Sequence, residues 1–308
     1  MKKYFLKIAV YLLLLALPLT LIFAYVQSKP TVFSGTLLGT IYHKSGLLDE
    51  VGSPRIIFVG GSSCPYATDC ERISEELGMP CINLGVTSYF GLAYYRNLLN
   101  GHIGEGDIIV LMPEAAMMRN KINYEALWEG VENRPSLLRA VPVSYWKNMA
   151  LAYYKYAAHK LDLLDAGYGK KGEIYSPDFG YFGDVTQYRE AILEHGYMTD
   201  DEIMLNREMV EPEFLRNVRG LAKDAEKAGA VFVFAFPPVD KLAVISDENE
   251  LAGLESYLRD EINAGFLNTL NDSLMEGQYF YNSNNHLTTE GEEIYTETLI
   301  RALRSVTG

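Results

Sequence analysis

Several things that this sequence lacks narrow the class of protein. Three cysteines in 308 residues are too few for the disulfide framework of a small secreted protein. The 27 lysines and arginines are outnumbered by 40 acidic residues and form no cluster. This excludes a nucleic-acid partner, because a phosphate-binding face needs clustered basic residues. What is present is a chain of 308 residues, 48% of them hydrophobic, which is long enough for one large domain with a full core, or two at most.

One long apolar run lies near the N-terminus. Ile8 to Val26 contains 19 residues without a charge, which at about 1.5 Å per residue nearly spans a hydrocarbon layer of about 30 Å. Three lysines precede the run, so the positive-inside rule predicts a cytoplasmic N-terminus. A cleaved signal peptide is the alternative, although its apolar region is usually shorter and its cleavage site better defined. We expect residues 1–29 to form a cytoplasmic stub and a transmembrane signal anchor, and residues 30–308 to be extracytoplasmic.

The three cysteines, Cys64, Cys70 and Cys81, lie close together in the sequence. Small buried side chains are the first interpretation. One extracytoplasmic disulfide with a leftover thiol is the second. A metal site is the least favoured, because no histidine or cysteine follows at zinc-finger spacing.

Five short apolar runs are typical of buried strands, each bounded by turn or polar residues. Helical patterns separate them, and strands that alternate with helices indicate a parallel sheet covered on both faces. The runs are Arg55–Val59, Pro80–Leu84, Asp107–Met112, Ala230–Phe236 and Gln278–Tyr281.

Three of the predicted helices have recognisable ends. Thr68 and Glu71 have the spacing of a capping box, and Gly78 is the matching stop. A second helix is predicted between Pro212 and Gly229, with proline near its start and glycine just past its end. A third is predicted to begin at about Thr289, where a further capping-box spacing occurs.

The stretch from about 115 to 211 does not fit the alternation of strands and helices. It is rich in tyrosine and tryptophan, with a helical pattern around Ser144–Leu164 and a loop at Tyr175–Asp184. We interpret it as an insertion near the carboxyl edge of the sheet, on the side where a substrate would bind.

Three positions at predicted strand ends could carry chemistry. Ser62 follows two glycines after the first strand, where a sharp turn would place a nucleophile beside a helix. Gly85 follows the second strand and could present its N–H to an oxyanion. His286 lies near the end of the last strand and could act as the base that a serine nucleophile needs. Each position also has a plainer interpretation. Ser62 could lie in a phosphate-binding turn or in a simple turn, Gly85 could be a turn glycine, and His286 could be a surface histidine.

Together these positions resemble the SGNH/GDSL hydrolase superfamily. Ser62 in V-G-G-S matches the first block, Gly85 in N-L-G the second, and His286 in H-L-T-T-E-G the last. The order and strand placement are closest to a membrane-anchored bacterial branch of SGNH-like proteins that work in cell-envelope polysaccharide acylation. The resemblance implies a three-layer α/β/α flavodoxin-like domain with a parallel five-stranded sheet, here preceded by the N-terminal transmembrane helix.

Two departures from the family pattern bear on activity. Asn282 and Ser283 stand where an acidic partner of the histidine is usual, and an amide holds the imidazole without stabilising the imidazolium. Asp272 is the nearest upstream acid. The block that supplies an oxyanion-hole asparagine is replaced by Met112-Pro113-Glu114, which leaves Gly85 and the Ser62 N–H as donors.

The resemblance implies a serine esterase or acyltransferase acting on acyl esters of cell-envelope glycans. Ser62 is then the nucleophile, His286 the base and Asn282 the residue that orients it. Gly85 binds the oxyanion, and Glu114 and Asn83 are candidates for the substrate side. The resemblance implies no metal and no organic cofactor. It also implies that a membrane O-acyltransferase is a partner. The alternative is an inactive SGNH-fold envelope protein that binds glycan or scaffolds a membrane acylation complex.

Overall fold

A five-stranded parallel sheet forms the centre of the protein. The computed structural model describes residues 2–165, 177–192 and 202–307. The strands are β1 Ile56–Gly60, β2 Cys81–Asn83, β3 Ile108–Met112, β4 Val231–Phe234, β5 Val239–Asp240, β6 Gly265–Phe266, β7 Leu274–Met275, β8 Phe280–Ser283 and β9 His286–Leu287. The sheet order is β2-β1-β3-β4-β6, which is the flavodoxin-like order. Two further pairs, β5 with β7 and β8 with β9, lie outside it.

Helices cover both faces of the sheet. Alternate residues of β1 point to opposite sides: Ile57 and Val59 join one apolar cluster and Ile56 and Phe58 the other. The helices are α1 Lys2–Gln27, α2 Ile41–Glu50, α3 Ser63–Ala67, α4 Cys70–Leu77, α5 Leu92–Leu99, α6 Ala115–Met118, α7 Tyr124–Gly130, α8 Pro135–Arg139, α9 Trp146–Asp165, α10 Pro212–Ala228, α11 Glu248–Glu261, α12 Leu270–Ser273 and α13 Thr289–Thr307. The first cluster includes residues of α2, α5, α7, α9, α10 and α11, and the second includes residues of α3, α4 and α13.

The prediction of a parallel five-stranded sheet is confirmed, but one predicted strand was wrong. The run Gln278–Tyr281 does not enter the sheet; its last two residues belong to β8, which pairs antiparallel with β9. The fifth sheet strand is β6, whose Gly265 and Phe266 pair with β4. A two-residue strand has no apolar run to mark it, whereas the aromatic run of β8 resembles a buried strand.

The predicted capping box at Thr68 was also wrong. Helix α4 begins at Cys70, and Asp69 is its cap because the Asp69 carboxylate accepts the Arg72 N–H at 2.9 Å. The Thr68 hydroxyl instead donates to the side chain of Asp184, at 2.8 Å. Tertiary contacts therefore override the local capping pattern at this turn.

The other predicted helix ends agree with the structure. Gly78 and Gly229 each follow a helix with positive φ, at 65° and 73°, a conformation that glycine adopts without strain. Helix α10 begins at Pro212 and α13 at Thr289.

The predicted insertion contributes to the core as well as to the surface. Helix α9 covers the predicted Ser144–Leu164 pattern, and the rings of Trp128 and Tyr156 stack with centroids 5.7 Å apart. The first two residues of the predicted Tyr175–Asp184 loop lie outside the described residues. All three cysteines are buried, as the first interpretation of them expects.

The N-terminal segment forms the single helix α1, and its end is tied to the domain. Phe23 lies against Trp128 and Tyr153, and Val26 is buried. In the part of the chain that is described, no helix is both long and apolar enough to cross a membrane. The anchor that the sequence predicts over Ile8 to Val26 is therefore not supported here and stays a prediction.

Candidate active site

The loop after β1 presents Ser62 beside a histidine. Ser62 stands at the cap position of the short helix α3, and its Oγ lies 2.9 Å from Nε2 of His286. Ser63 is fully buried, so of the two adjacent serines it is Ser62 that faces the histidine. The structure thus joins two residues that are 224 positions apart in the chain.

A hairpin holds His286 in place. Ser283 of β8 pairs with His286 of β9, and the turn between them brings Asn282 Oδ1 to 2.8 Å from His286 Nδ1. An amide oxygen only accepts, so Nδ1 carries the proton and Nε2 is left to accept the Ser62 hydroxyl proton. This is the tautomer that a general base for serine requires.

An aromatic ring and a buried arginine fix the imidazole further. The Tyr66 ring stacks on His286 with centroids 4.0 Å apart and planes within 9°. Arg189 is buried; its Nε donates to the Leu287 carbonyl at 3.1 Å, next to the histidine, and its guanidinium lies 5.4 Å from the Tyr66 ring. Glu292 forms an ion pair with Arg189. Sequence reasoning missed Tyr66 and Arg189; the position of Tyr66 one helical turn after Ser62 is the signal that could have found it.

These surroundings weaken the base. Burial and, to a smaller extent, the nearby positive charge of Arg189 together lower the pKa of His286 to about 3. Asp272, the nearest upstream acid, is not a partner: its carboxylate caps α12 by accepting from Thr269. Asn282 thus occupies the place of the usual acid, and it supplies orientation without charge.

Glu114 lies on the other side of Ser62. Its Oε1 accepts the Ser63 N–H at 2.6 Å and lies 3.4 Å from Ser62 Oγ. Its Oε2 accepts the Ser88 hydroxyl at 2.5 Å. Ser62 has one proton to donate, and the shorter distance favours His286. Glu114 touches the candidate nucleophile but is itself buried.

Gly61 allows this close approach. A Cβ at Gly61 would lie 2.3 Å from Ser88 Oγ and 2.4 Å from Glu114 Oε1, distances that real side chains do not adopt. The glycine before the serine thus makes room for a carboxylate, a role that the G-G-S pattern does not reveal. Ser88, the other partner of Glu114, was also missed from the sequence.

The structure does not favour the expected roles of Gly85 and Asn83. The Gly85 N–H donates to Asn83 Oδ1 at 2.8 Å, so it is already occupied and does not point to an oxyanion at Ser62. Asn83 is fully buried, and its Nδ2 donates to Thr68 and Asp184, both at 2.7 Å. Asn83 therefore holds the protein together beneath the site rather than facing a substrate.

Asp184 is the centre of that buried network. Besides Asn83 and Thr68 it accepts the Cys70 N–H at 2.7 Å. Lys44 is fully buried nearby and donates to the Gly85 carbonyl. Burial lowers the pKa of Lys44 to about 8, with the Asp184 charge opposing the shift.

One cluster in the described residues has the ligand types of a metal site. Glu125, Glu129 and His159 bring their ligand atoms within 4.8 Å of one another. The cluster belongs to α7 and α9, neither of which supplies a residue to the Ser62–His286 pair, and the 2.8 Å contact between Glu129 and His159 accounts for it as an ordinary polar pair. No step at Ser62 involves it.

Comparison with known proteins leaves the family unassigned. No family model and no curated protein matches the chain. A solved structure provisionally described as a platelet activating factor from Streptococcus pneumonia aligns with 87% of this chain and 91% of its own, at 13% identity and a TM-score of 0.41. So distant a likeness bears no weight for function, and the resemblance to the SGNH superfamily stays a prediction. The geometry at Ser62 is therefore the basis for a functional proposal.

Proposed function

We propose that this chain is an SGNH-like serine esterase or acyltransferase that acts on acyl esters. The observation that carries the proposal is the hydrogen-bonded series Ser62 Oγ, His286 Nε2, His286 Nδ1 and Asn282 Oδ1, with distances of 2.9 and 2.8 Å. A nucleophile, a base in reach of it and a group that orients the base are the parts that acyl transfer needs.

The first half of the reaction makes an acyl-enzyme. Ser62 Oγ attacks the carbonyl carbon of the ester while His286 Nε2 takes the hydroxyl proton. The carbonyl electrons move to the oxygen, and their return expels the alcohol, which takes the proton from Nε2. The Ser62 N–H is the donor that the resemblance leaves for the oxyanion.

The second half returns the enzyme to its starting state. A water molecule or an acceptor hydroxyl gives its proton to His286 Nε2 and attacks the acyl carbon, and Ser62 leaves with that proton. Water makes the protein an esterase and a sugar hydroxyl makes it a transferase. The proposed substrate class is acylated cell-envelope glycan, an analogy that comes from the family resemblance alone.

The proposed location is the outer face of a membrane, with α1 as the anchor. Leu14, Leu17, Leu21 and Ile22 of α1 are each more than half exposed to solvent, a state in which so many large apolar side chains are seldom left. The segment after α1 is tied to the domain because Glu132, paired with the buried Lys160, accepts the Val32 N–H at 2.9 Å. A membrane O-acyltransferase is the partner we propose.

A second candidate function is a non-catalytic envelope protein that binds glycan or scaffolds such a complex. Two observations favour it: His286 has an amide rather than a carboxylate at Nδ1, and Glu114 places negative charge 3.4 Å from Ser62 Oγ. The neutral amide does not stabilise the imidazolium as a carboxylate would, and the Glu114 carboxylate opposes the negative charge that develops on the substrate oxygen.

Active-site labelling with a fluorophosphonate decides between the two. We expect the full chain in detergent to be labelled, and Ser62→Ala and His286→Ala to abolish labelling. Ser63→Ala is the matched control, because Ser63 is adjacent, fully buried and of the same chemistry. We expect Ser62→Ala to lower esterase activity on an aryl acetate by at least about 10³-fold.

The opposite result would be equally clear. Wild-type protein that is folded but labels no better than Ser62→Ala, and that cleaves no aryl ester, would contradict the enzyme proposal. Direct binding of acylated and deacylated envelope glycan would then test the second candidate.

A further inference from the structure

A second chemically distinctive pair lies behind the site, where α4 and β2 meet. Cys70 is the first residue of α4 and Cys81 the first of β2, and their Sγ atoms are 2.7 Å apart. Non-bonded sulfur atoms do not pack so closely without overlap, and a disulfide bond measures about 2.04 Å. A movement of less than one ångström separates this contact from a covalent bond.

The fold itself brings the two cysteines together. Helix α4 ends at Leu77, the N–H of the next residue, Gly78, donates to the Ser74 carbonyl, and the chain then turns back into β2. The Ser74 hydroxyl donates to the Cys70 carbonyl at 2.6 Å and accepts the Cys81 N–H at 2.9 Å. One side chain therefore fixes the backbone of both cysteines, so their approach does not depend on a mobile segment.

We propose that Cys70 and Cys81 form a structural disulfide in the mature protein and that Cys64 remains a thiol. Cys64 belongs to α3, where its Sγ lies 3.8 Å from the Met112 carbonyl and its Cβ packs against the position of Gly85. This assigns one bridge and one leftover thiol, and it rests on the extracytoplasmic location proposed above, where disulfides form and persist.

The bond forms by exchange with a disulfide-bearing oxidant such as an extracytoplasmic dithiol oxidase. One cysteine thiolate attacks the oxidant and forms a mixed disulfide. The other cysteine, as thiolate, then displaces the oxidant's sulfur, so two electrons pass to the oxidant and two protons are released or taken up by its thiols. Both cysteines are fully buried in the fold, so exchange occurs during folding, before the pair is closed off.

The cross-link would support the site from beneath. The Cys70 N–H donates to Asp184, and β2 continues from Cys81 to Asn83, which donates to the same carboxylate. A bond between the first residues of α4 and β2 thus joins the two elements that converge on Asp184. It stabilises the contact between α4 and β2 next to α3 and does not involve Ser62.

Thiol counting on the wild-type full chain tests the proposal directly. The protein is isolated with its own N-terminal segment from a bacterium that has an extracytoplasmic dithiol oxidase, and free thiols are trapped with N-ethylmaleimide after denaturation without reductant. We expect one modified cysteine, Cys64, and one proteolytic peptide pair joined through Cys70 and Cys81. Three modified cysteines, or a bridge that includes Cys64, would overturn the proposal.

Variants separate this proposal from the esterase proposal. We expect reduction of the bridge, or the double substitution Cys70→Ser and Cys81→Ser, to lower the Tm by about 5–10 °C. Cys64→Ser is the control: its thiol count should fall to zero while the Cys70–Cys81 bridge is kept. Three free thiols with normal fluorophosphonate labelling at Ser62 would overturn the disulfide and leave the esterase proposal standing. A chain that contains the Cys70–Cys81 bridge but is not labelled at Ser62 would overturn the esterase proposal and leave the disulfide proposal standing.

Discussion

Two buried carboxylates lie in the neighbourhood of helix α3, and their surroundings are alike in kind. Glu114 accepts from the Ser63 N–H and the Ser88 hydroxyl. Asp184 accepts from the Cys70 N–H and the Thr68 hydroxyl. What distinguishes them is the next contact: Glu114 reaches the Ser62 hydroxyl, whereas Asp184 reaches the buried amide of Asn83.

The comparison teaches that burial and hydrogen bonding do not by themselves mark a functional carboxylate. Asp184 is buried, yet all of its partners are structural: the Cys70 N–H, the Thr68 hydroxyl and the Asn83 amide. Glu114 is also buried, but it touches the candidate nucleophile. Substitutions on the two sides should therefore differ in what they change: stability beneath α3, and activity at Ser62.

The largest change in stability is expected from Asp184→Asn. Asp184 Oδ1 accepts from the Thr68 hydroxyl and the Asn83 amide, and Oδ2 accepts from the Cys70 N–H. Whichever oxygen the amide nitrogen replaces, at least one buried donor loses its acceptor. Buried Lys44 would also lose a nearby opposite charge. We expect the free energy of unfolding to fall by about 3 kcal/mol, as when one partner of a buried polar network is removed. Urea unfolding measures it.

Asp178→Asn is the matched control, because Asp178 is in the same loop and its side chain is exposed. We expect no measurable change for it. An Asp184→Asn protein that is as stable as the wild type but inactive would show that Asp184 belongs with the reactive side, and the division between the two carboxylates would be wrong.

On the reactive side, Asn282→Asp should raise activity. A carboxylate 2.8 Å from Nδ1 would accept the same proton and would also stabilise the imidazolium that forms as Ser62 attacks. We expect kcat/KM for an aryl acetate to rise by about 10- to 100-fold, because the reverse change in a serine-histidine-aspartate triad costs about 10⁴. Asn282→Ala is the control and should lower activity. Unchanged rates in both variants would remove Asn282 from the site.

The strands and site residues that could be predicted from the sequence are those whose causes lie in the neighbouring residues of the chain. Strands β1 and β3 are continuous apolar runs because both faces of the sheet are covered, and such runs are visible in sequence. Ser62 and His286 are marked by their places at strand ends. Arg189 has no such mark, because it reaches the histidine only through the fold. The Gly85 position was recognised, but a motif does not show which acceptor an N–H meets.

The pH dependence should show that His286 is a weak base. With its pKa lowered to about 3, the imidazole stays neutral from pH 7 to about pH 4, so wild-type kcat/KM should remain flat where an ordinary histidine would lose activity below pH 6.5. In Asn282→Asp the new carboxylate favours the imidazolium, and the acidic limb should move to higher pH. A wild-type rate that is halved near pH 6.5 would contradict the weak-base assignment.

Stability gives an independent check on the same group. Because the pKa of folded His286 lies below its unfolded value near 6.5, the unfolded chain binds more protons between about pH 6.5 and pH 3. The contribution of this histidine is therefore fully present above pH 6.5 and is lost as the pH falls through that window. His286→Asn cannot titrate, so its free energy of unfolding should fall less than that of the wild type between pH 7 and pH 4.

The smallest effect is expected from Glu114→Gln, and it bears most directly on what the carboxylate does. The amide oxygen can still accept the Ser63 N–H, and the Ser88 hydroxyl can accept from the amide nitrogen, so the packing around Gly61 is kept. What is lost is negative charge 3.4 Å from Ser62 Oγ, which opposes the charge that develops on the substrate oxygen.

We expect kcat/KM and the rate of fluorophosphonate labelling to rise about 3- to 10-fold in Glu114→Gln. Glu71→Gln, at an exposed site, is the control and should leave both unchanged. A fall of more than about tenfold would mean that Glu114 assists the reaction. In that case Glu114 would be a carboxylate that promotes the reaction at Ser62, and not one that slows it, whereas Asp184 would still be structural.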